Sequence, residues 1–184
     1  MRRVFVIHGW QGSPEKCWRP WLKKELEKKG FGVFIPAMPD AENPKMKAWV
    51  DHLKGTVGKP DEDCYFVGHS LGCIAIIRYL ETLKENEKVG GCVLVAGFTD
   101  SLGYGEIADF FERPVDWDKI KSHCKNFVAI HSDNDPYVPL RYGDVFRENA
   151  GAEVVVKKGM KHFGEDDGIR ELPVVLESLM RISE

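Results

Sequence analysis

Residues 64–77, CYFVGHSLGCIAII, carry no Asp, Glu, Lys or Arg and are punctuated by Gly68 and Gly72. An apolar run, Tyr65-Phe66-Val67, stops at Gly68, and a second begins after Gly72. The first suits a buried strand and the second a buried helix. Between them Gly68-His69-Ser70-Leu71-Gly72 forms a G-x-S-x-G pattern. Such a pattern requires a sharp strand-to-helix turn that holds the serine in a strained conformation with its hydroxyl in the open. A Cβ at either glycine would collide with the neighbouring strand or the start of the helix. That helix points its N-terminus at the serine, where free N–H groups and the dipole favour developing negative charge. A glycine-softened turn with an incidental serine is the bland alternative. The strand before and helix after make Ser70 a candidate nucleophile.

The rest of the chain repeats the strand-then-helix rhythm. Val4–Ile7, Phe31–Pro36, the run ending at Val67, Val89–Ala96, Phe127–His131 and Glu153–Lys157 read as strands. Between and after them, helices are expected from Pro14, capped by Ser13, to Gly30, and over Lys47–Val57, Ser70–Leu83, Leu140–Asn149 and Leu172–Ile182. This alternation predicts an α/β fold: a parallel sheet with helices on both faces, in which reactive loops follow the carboxyl ends of the strands. At 184 residues the chain is one domain by length, 1–184. One interval breaks the rhythm. Residues 97–121 carry Phe98, Tyr104, Phe110, Phe111 and Trp117, and read as a crossover helix over Glu106–Glu112 that doubles as a small lid.

Composition narrows the function. A net charge of −3 offers no nucleic-acid surface, and Lys23-Lys24 and Lys28-Lys29 are interleaved with glutamates as on a solvated helix face. No stretch approaches a membrane span. The five cysteines have neither C-x-x-C nor metal-ligand spacing, so no metal or cofactor is expected. Their odd number without a secretory signal points to a reducing, cytoplasmic compartment.

A serine nucleophile needs a base, and the base needs an orienting group. After Ser70, strand-end loops supply Asp133, Asp135 and His162. His52, His123 and His131 compete for the base, but their places in a helix, before a strand and too early in the chain favour His162. Asp135 is preferred as the acid because Pro136 restricts its backbone. Asp133, suited to capping the turn, and Asp100, past an earlier strand, remain the other candidates. An oxyanion would be met by the backbone N–H of Leu71 and an N–H of the His8-Gly9-Trp10 loop, most simply that of Trp10. His8 and His69 read as structural groups of these turns, with His8, Phe110, Phe111 and Tyr137 near enough in the strand-end layout to help line a substrate pocket.

The segments VFVIHGWQGSPEKCWRPWL, FVGHSLG, SDNDPYVP and GMKHF, in this order over most of the chain, resemble the small α/β-hydrolases of the YdeN and retinoblastoma-binding protein nine family of serine hydrolases. The resemblance implies a three-layer core of about six parallel strands, without the first two strands of larger hydrolases, and a chain order of Ser, Asp, His. By resemblance Ser70, Asp135 and His162 occupy the triad positions. Met160-Lys161 depart from a loop that is often glycine-rich in relatives.

Two classes of function follow. The first is a serine hydrolase that cleaves small carboxylic esters, or amides, through an acyl-enzyme. The second is a protein-binding module on the same scaffold, with Trp10, Trp18 and Trp21 as its surface, although core packing and pocket wall are the plainer reading of these three. A complete triad favours the first, since a binding protein has no physical need of all three groups.

Overall fold

A computed structural model describes residues 1–184. Its centre is a sheet of six parallel strands: β1 (Arg3–Ile7), β2 (Gly32–Phe34), β3 (Cys64–His69), β4 (Gly91–Val95), β5 (Phe127–Ser132) and β6 (Glu153–Lys157). They lie in the order β2-β1-β3-β4-β5-β6. The chain leaves β1 for one side and then returns to its other side. The switch point between β1 and β3 therefore opens a crevice at their carboxyl ends, where ligands bind in sheets of this kind.

The helices are α1 (Arg19–Glu27), α2 (Met46–Val57), α3 (Leu71–Leu80), α4 (Trp117–His123), α5 (Arg141–Ala150) and α6 (Pro173–Ile182). Alternate strand residues feed two cores, as the two-residue strand period demands. Val4, Val6, Val67, Val93 and Val95 face Leu22, Leu26, Val175 and Leu179 of α1 and α6. Phe5, Ile7, Phe66 and Leu94 face α2, α3 and α5 on the other side. Every residue of α3 is buried, which explains the absence of charge before Arg78. No helix is long and apolar enough to cross a membrane.

Two local expectations are corrected. Helix α1 begins at Arg19 rather than Pro14, because Cys17 takes a positive φ of 59° and the Pro20 ring starts the helix one turn later. The interval 97–121 holds two helices. Gly105–Phe111 is a 3₁₀ helix, and α4 follows with Asp116 as its N-cap, whose Oδ1 accepts from Lys119 N–H at 3.0 Å.

That interval is tied to α3 by a buried ion pair. The Arg78 guanidinium donates to both oxygens of Glu81 and to the carbonyls of Phe110, Arg113 and Pro114. Glu81 also accepts from Arg113 and from the Asp116 N–H. Both side chains are almost fully buried, so each needs these partners to offset its lost hydration.

His131, at the end of β5, is 1 % exposed and stacks on Phe146, and its Nε2 has no hydrogen-bond partner. Burial, opposed only by Asp135 and Asp144, pushes its pKa down from 6.5 to about 4. The folded state therefore refuses a proton that the unfolded chain accepts. The resulting stability is fully present above pH 6.5 and is lost as the pH falls toward 4, amounting to about 3 kcal/mol. Thermal unfolding followed from pH 7 to pH 4 should show this decline, and His131→Gln should flatten it. An unchanged slope in the variant would place the acid sensitivity elsewhere.

Candidate active site

The β3–α3 turn places Ser70 at φ 56°, ψ −122°, a strained conformation for a residue with a side chain. Gly72 explains how tightly the turn is held: a Cβ there would lie 2.3 Å from the Ile7 carbonyl oxygen. The Ser70 N–H donates to the Val95 carbonyl at 2.9 Å, extending the β3–β4 ladder into the turn.

His162 Nε2 lies 3.0 Å from Ser70 Oγ, and its Nδ1 lies 2.8 Å from Asp135 Oδ2. A carboxylate only accepts, so Nδ1 carries the ring proton and Nε2 is left as the acceptor for the serine hydroxyl. The Asp135 side chain is 1 % exposed. Its other oxygen accepts from the N–H groups of Tyr137 (2.9 Å) and Val138 (3.0 Å), so the buried charge is well satisfied.

The histidine loop is held at every turn. Asp167 Oδ2 accepts from His162 N–H at 3.1 Å, while the His162 carbonyl accepts from His69 Nε2 at 2.8 Å. Burial, the neighbouring His162 and Arg19 hold His69 well below the usual histidine range, which keeps it a neutral donor. Phe163 is fully buried, and its carbonyl accepts from Trp18 Nε1. The acid loop is zipped to this one: Asp133 accepts from Gly159 N–H at 2.8 Å, and Asn134 Oδ1 accepts from Lys161 N–H at 2.8 Å. Asp133 thus has a structural part, bridging two loops rather than capping its own turn.

The other sequence candidates fall elsewhere. Asp100 receives the Tyr142 hydroxyl and the Leu102 N–H. His123 Nδ1 bonds the Glu87 carbonyl, and His52 lies along α2. His8 is buried: its Nε2 accepts from Met38 N–H at 3.0 Å, so Nδ1–H donates to the Gly9 carbonyl at 2.8 Å.

The β1 loop passes close to the serine. A Cβ on Gly9 would sit 3.0 Å from Ser70 Cβ, and the Trp10 N–H beyond it makes no hydrogen bond within the chain. Leu71 heads α3, where first-turn N–H groups lack helical partners. Two backbone donors thus stand beside the serine.

An apolar cavity of about 300 Å³ opens at Ser70 and His162, walled by Trp10, Phe98, Leu102, Tyr104, Ile107 and Tyr137. Tyr137 is the one expected pocket residue found in it, its ring edge-on to His162 at 5.2 Å. Phe110 and His8 do not line it. Phe110 is fully buried against Trp49, turned inward by the 3₁₀ helix. Phe111 stacks behind Phe98 at 5.6 Å. Leu102, Ile107 and Asp167 carried no motif, so nothing in the sequence singled them out.

A family model described as serine hydrolase matches residues 4–181. YdeN of Bacillus subtilis (strain 168) is 35 % identical over 179 residues, covering 97 % of this chain and 94 % of the relative. Serine hydrolase RBBP9 of Rattus norvegicus is 30 % identical over 178 residues, 95 % of this chain and 88 % of that one. The crystal structure of the ydeN gene product from B. subtilis superposes with a TM-score of 0.95 at 34 % identity, covering 99 % and 98 % of the two chains. Est1E from Butyrivibrio proteoclasticus, solved with ferulic acid bound, shares the fold alone, with a TM-score of 0.75 at 15 % identity over 98 % of this chain and 90 % of that one.

Proposed function

Since the chain belongs to the serine hydrolase family, we propose that it cleaves small carboxylic esters through an acyl-enzyme on Ser70, His162 and Asp135. The observation that carries this reading is the unbroken relay from Asp135 Oδ2 through His162 to Ser70 Oγ, with links of 2.8 Å and 3.0 Å.

In the first half-reaction His162 Nε2 takes the hydroxyl proton as Ser70 Oγ attacks the ester carbonyl carbon. The carbonyl oxygen, now negative, is met by the N–H of Leu71 at the head of α3 and that of Trp10 in the loop after β1. Collapse breaks the bond to the alcohol oxygen, which leaves with the proton from His162. In the second half, water gives a proton to His162 and its oxygen to the acyl carbon. The Ser70–acyl bond then breaks, Ser70 recovers the proton, and the acid departs. Asp135 stays ionised throughout and holds the imidazole in the required tautomer.

The apolar cavity supports a small acyl group. Residues 97–121 serve as a cap that supplies Phe98, Leu102, Tyr104 and Ile107 to that wall, anchored through Arg78 and Glu81.

Fluorophosphonate labelling with peptide mass spectrometry tests the nucleophile directly. Stoichiometric modification at Ser70, lost in His162→Ala, is expected. A folded protein left unlabelled would remove the basis for catalysis and favour a binding role.

A further inference from the structure

Ser70 and His162 stand on the wall between two cavities of opposite character. Beside the apolar one lies a second, of about 500 Å³, floored and rimmed by Lys16, Arg19, Glu42, Glu165 and Asp166. The two share Trp10, Gln11, Ser70 and His162 and no other residue. An ester has two arms extending from its carbonyl carbon, and the site offers each arm a separate chamber.

The order of the chemistry decides which arm goes where. The alcohol leaves first, protonated by His162, and water must then reach the acyl carbon by the path the alcohol vacated, giving its proton to the same Nε2. A chamber lined by charged and polar groups holds water more readily than one lined by Phe98, Leu102 and Ile107. The leaving alcohol therefore belongs in the polar chamber and the acyl group in the apolar one.

The polar chamber is built for hydrogen bonding. Arg19 is 1 % exposed yet forms no ion pair, and its one hydrogen bond within the chain runs from Nε to the Ser13 carbonyl at 2.9 Å. The equally buried Arg78 makes a full set of bonds to Glu81 and three carbonyls. The two terminal nitrogens of Arg19 make no hydrogen bond within the chain and are not sealed off, and Arg19 lines the chamber, where a ligand oxygen could complete its set. An anionic arm would meet Glu42, Glu165 and Asp166, and a cationic arm would meet Arg19 and Lys16. A hydroxyl both donates and accepts, and suits the mixed lining.

We propose that the substrate joins an apolar acid of modest size to a polar, hydroxyl-bearing alcohol, with the acyl group in the Phe98–Leu102–Ile107 chamber and the alcohol over Arg19. This rests on the ester-hydrolase reading above. The test compares initial rates, by alkali titration, on glycerol monobutyrate, n-pentyl butyrate and n-pentyl glycerate. The first two match in size and differ in the alcohol, and the third exchanges the polar and apolar arms.

The expected kcat/KM for glycerol monobutyrate exceeds that for n-pentyl butyrate by about ten-fold or more, with the glycerate ester slowest. Arg19→Met should lower the monobutyrate-to-pentyl ratio by about ten-fold, mainly through KM, with Arg19→Lys intermediate. Equal rates on the two butyrates, or a faster glycerate ester, would overturn the assignment, as would an unchanged ratio in a folded Arg19 variant. If neither variant folds, the wild-type comparison still decides. Fluorophosphonate labelling of the same wild-type sample separates the two readings. Ser70 labelled without substrate preference removes the two-chamber assignment alone, and Ser70 unlabelled removes the ester-hydrolase reading beneath it.

Discussion

Ser70→Ala is expected to lower kcat for p-nitrophenyl butyrate by on the order of 10⁵-fold, and His162→Ala by a similar factor. The two groups act as a unit, since the serine hydroxyl is a nucleophile only while Nε2 can take its proton across 3.0 Å. The double variant should consequently be scarcely worse than either single one. Asp135→Asn is expected to cost about 10⁴-fold while leaving the fold intact, because an amide at that position can donate to Nδ1 and stabilise the wrong tautomer. Steady-state rates on purified variants, with circular dichroism to confirm folding, would decide. Turnover that survives in Ser70→Ala would assign any observed hydrolysis to another group or a contaminant.

Gly72→Ala is expected to destabilise the protein by about 3 kcal/mol or more. The added methyl would lie 2.3 Å from the Ile7 carbonyl oxygen, 2.8 Å from that of His8 and 2.9 Å from the Ile7 carbonyl carbon. All three are backbone atoms at the end of a central strand, so no side chain can swing aside. Either α3 lifts away from β1 or the strand end moves, and both displace the Leu71 and Trp10 N–H groups proposed to meet the oxyanion, as well as the core. Gly55→Ala provides the contrast. Gly55 lies in α2, and its added Cβ would meet nothing within 4 Å, so about 0.5–1 kcal/mol of stabilisation is expected from helix propensity. Chemical denaturation of the two variants should move in opposite directions from wild type. A neutral Gly72→Ala would mean that the turn is far looser than its geometry implies.

Much of this architecture is legible in the chain. The apolar runs around Gly68 and Gly72 specify the turn, because few other sequences let a strand reverse into a buried helix beside another strand. The last strand, Glu153–Lys157, has the bounds read from its valine run. Ser70, Asp135 and His162 stand out by residue type and by their places after strands, and the fold brings these three loops to one end of the sheet. What local sequence left open was direction. Phe110 and Phe111 look alike as neighbouring aromatics, yet Phe110 enters the core against Trp49 while Phe111 backs Phe98. Which way each ring points depends on a 3₁₀ helix anchored from α3 by Arg78, about thirty residues earlier in the chain.

Periodicity, glycine placement and short-range sterics are enough to specify the layered α/β fold, the strained serine turn and the residue types at the strand ends. Long-range packing sets the rest: Asp133 ties two loops together, Asp167 and His69 clamp the backbone of His162, and Arg19 lies buried without a carboxylate beside a second chamber. Those facts are contacts between segments far apart in the chain. Hydrogen-bond partners and cavity walls arise where separate elements meet, and local patterning carries no record of which will meet.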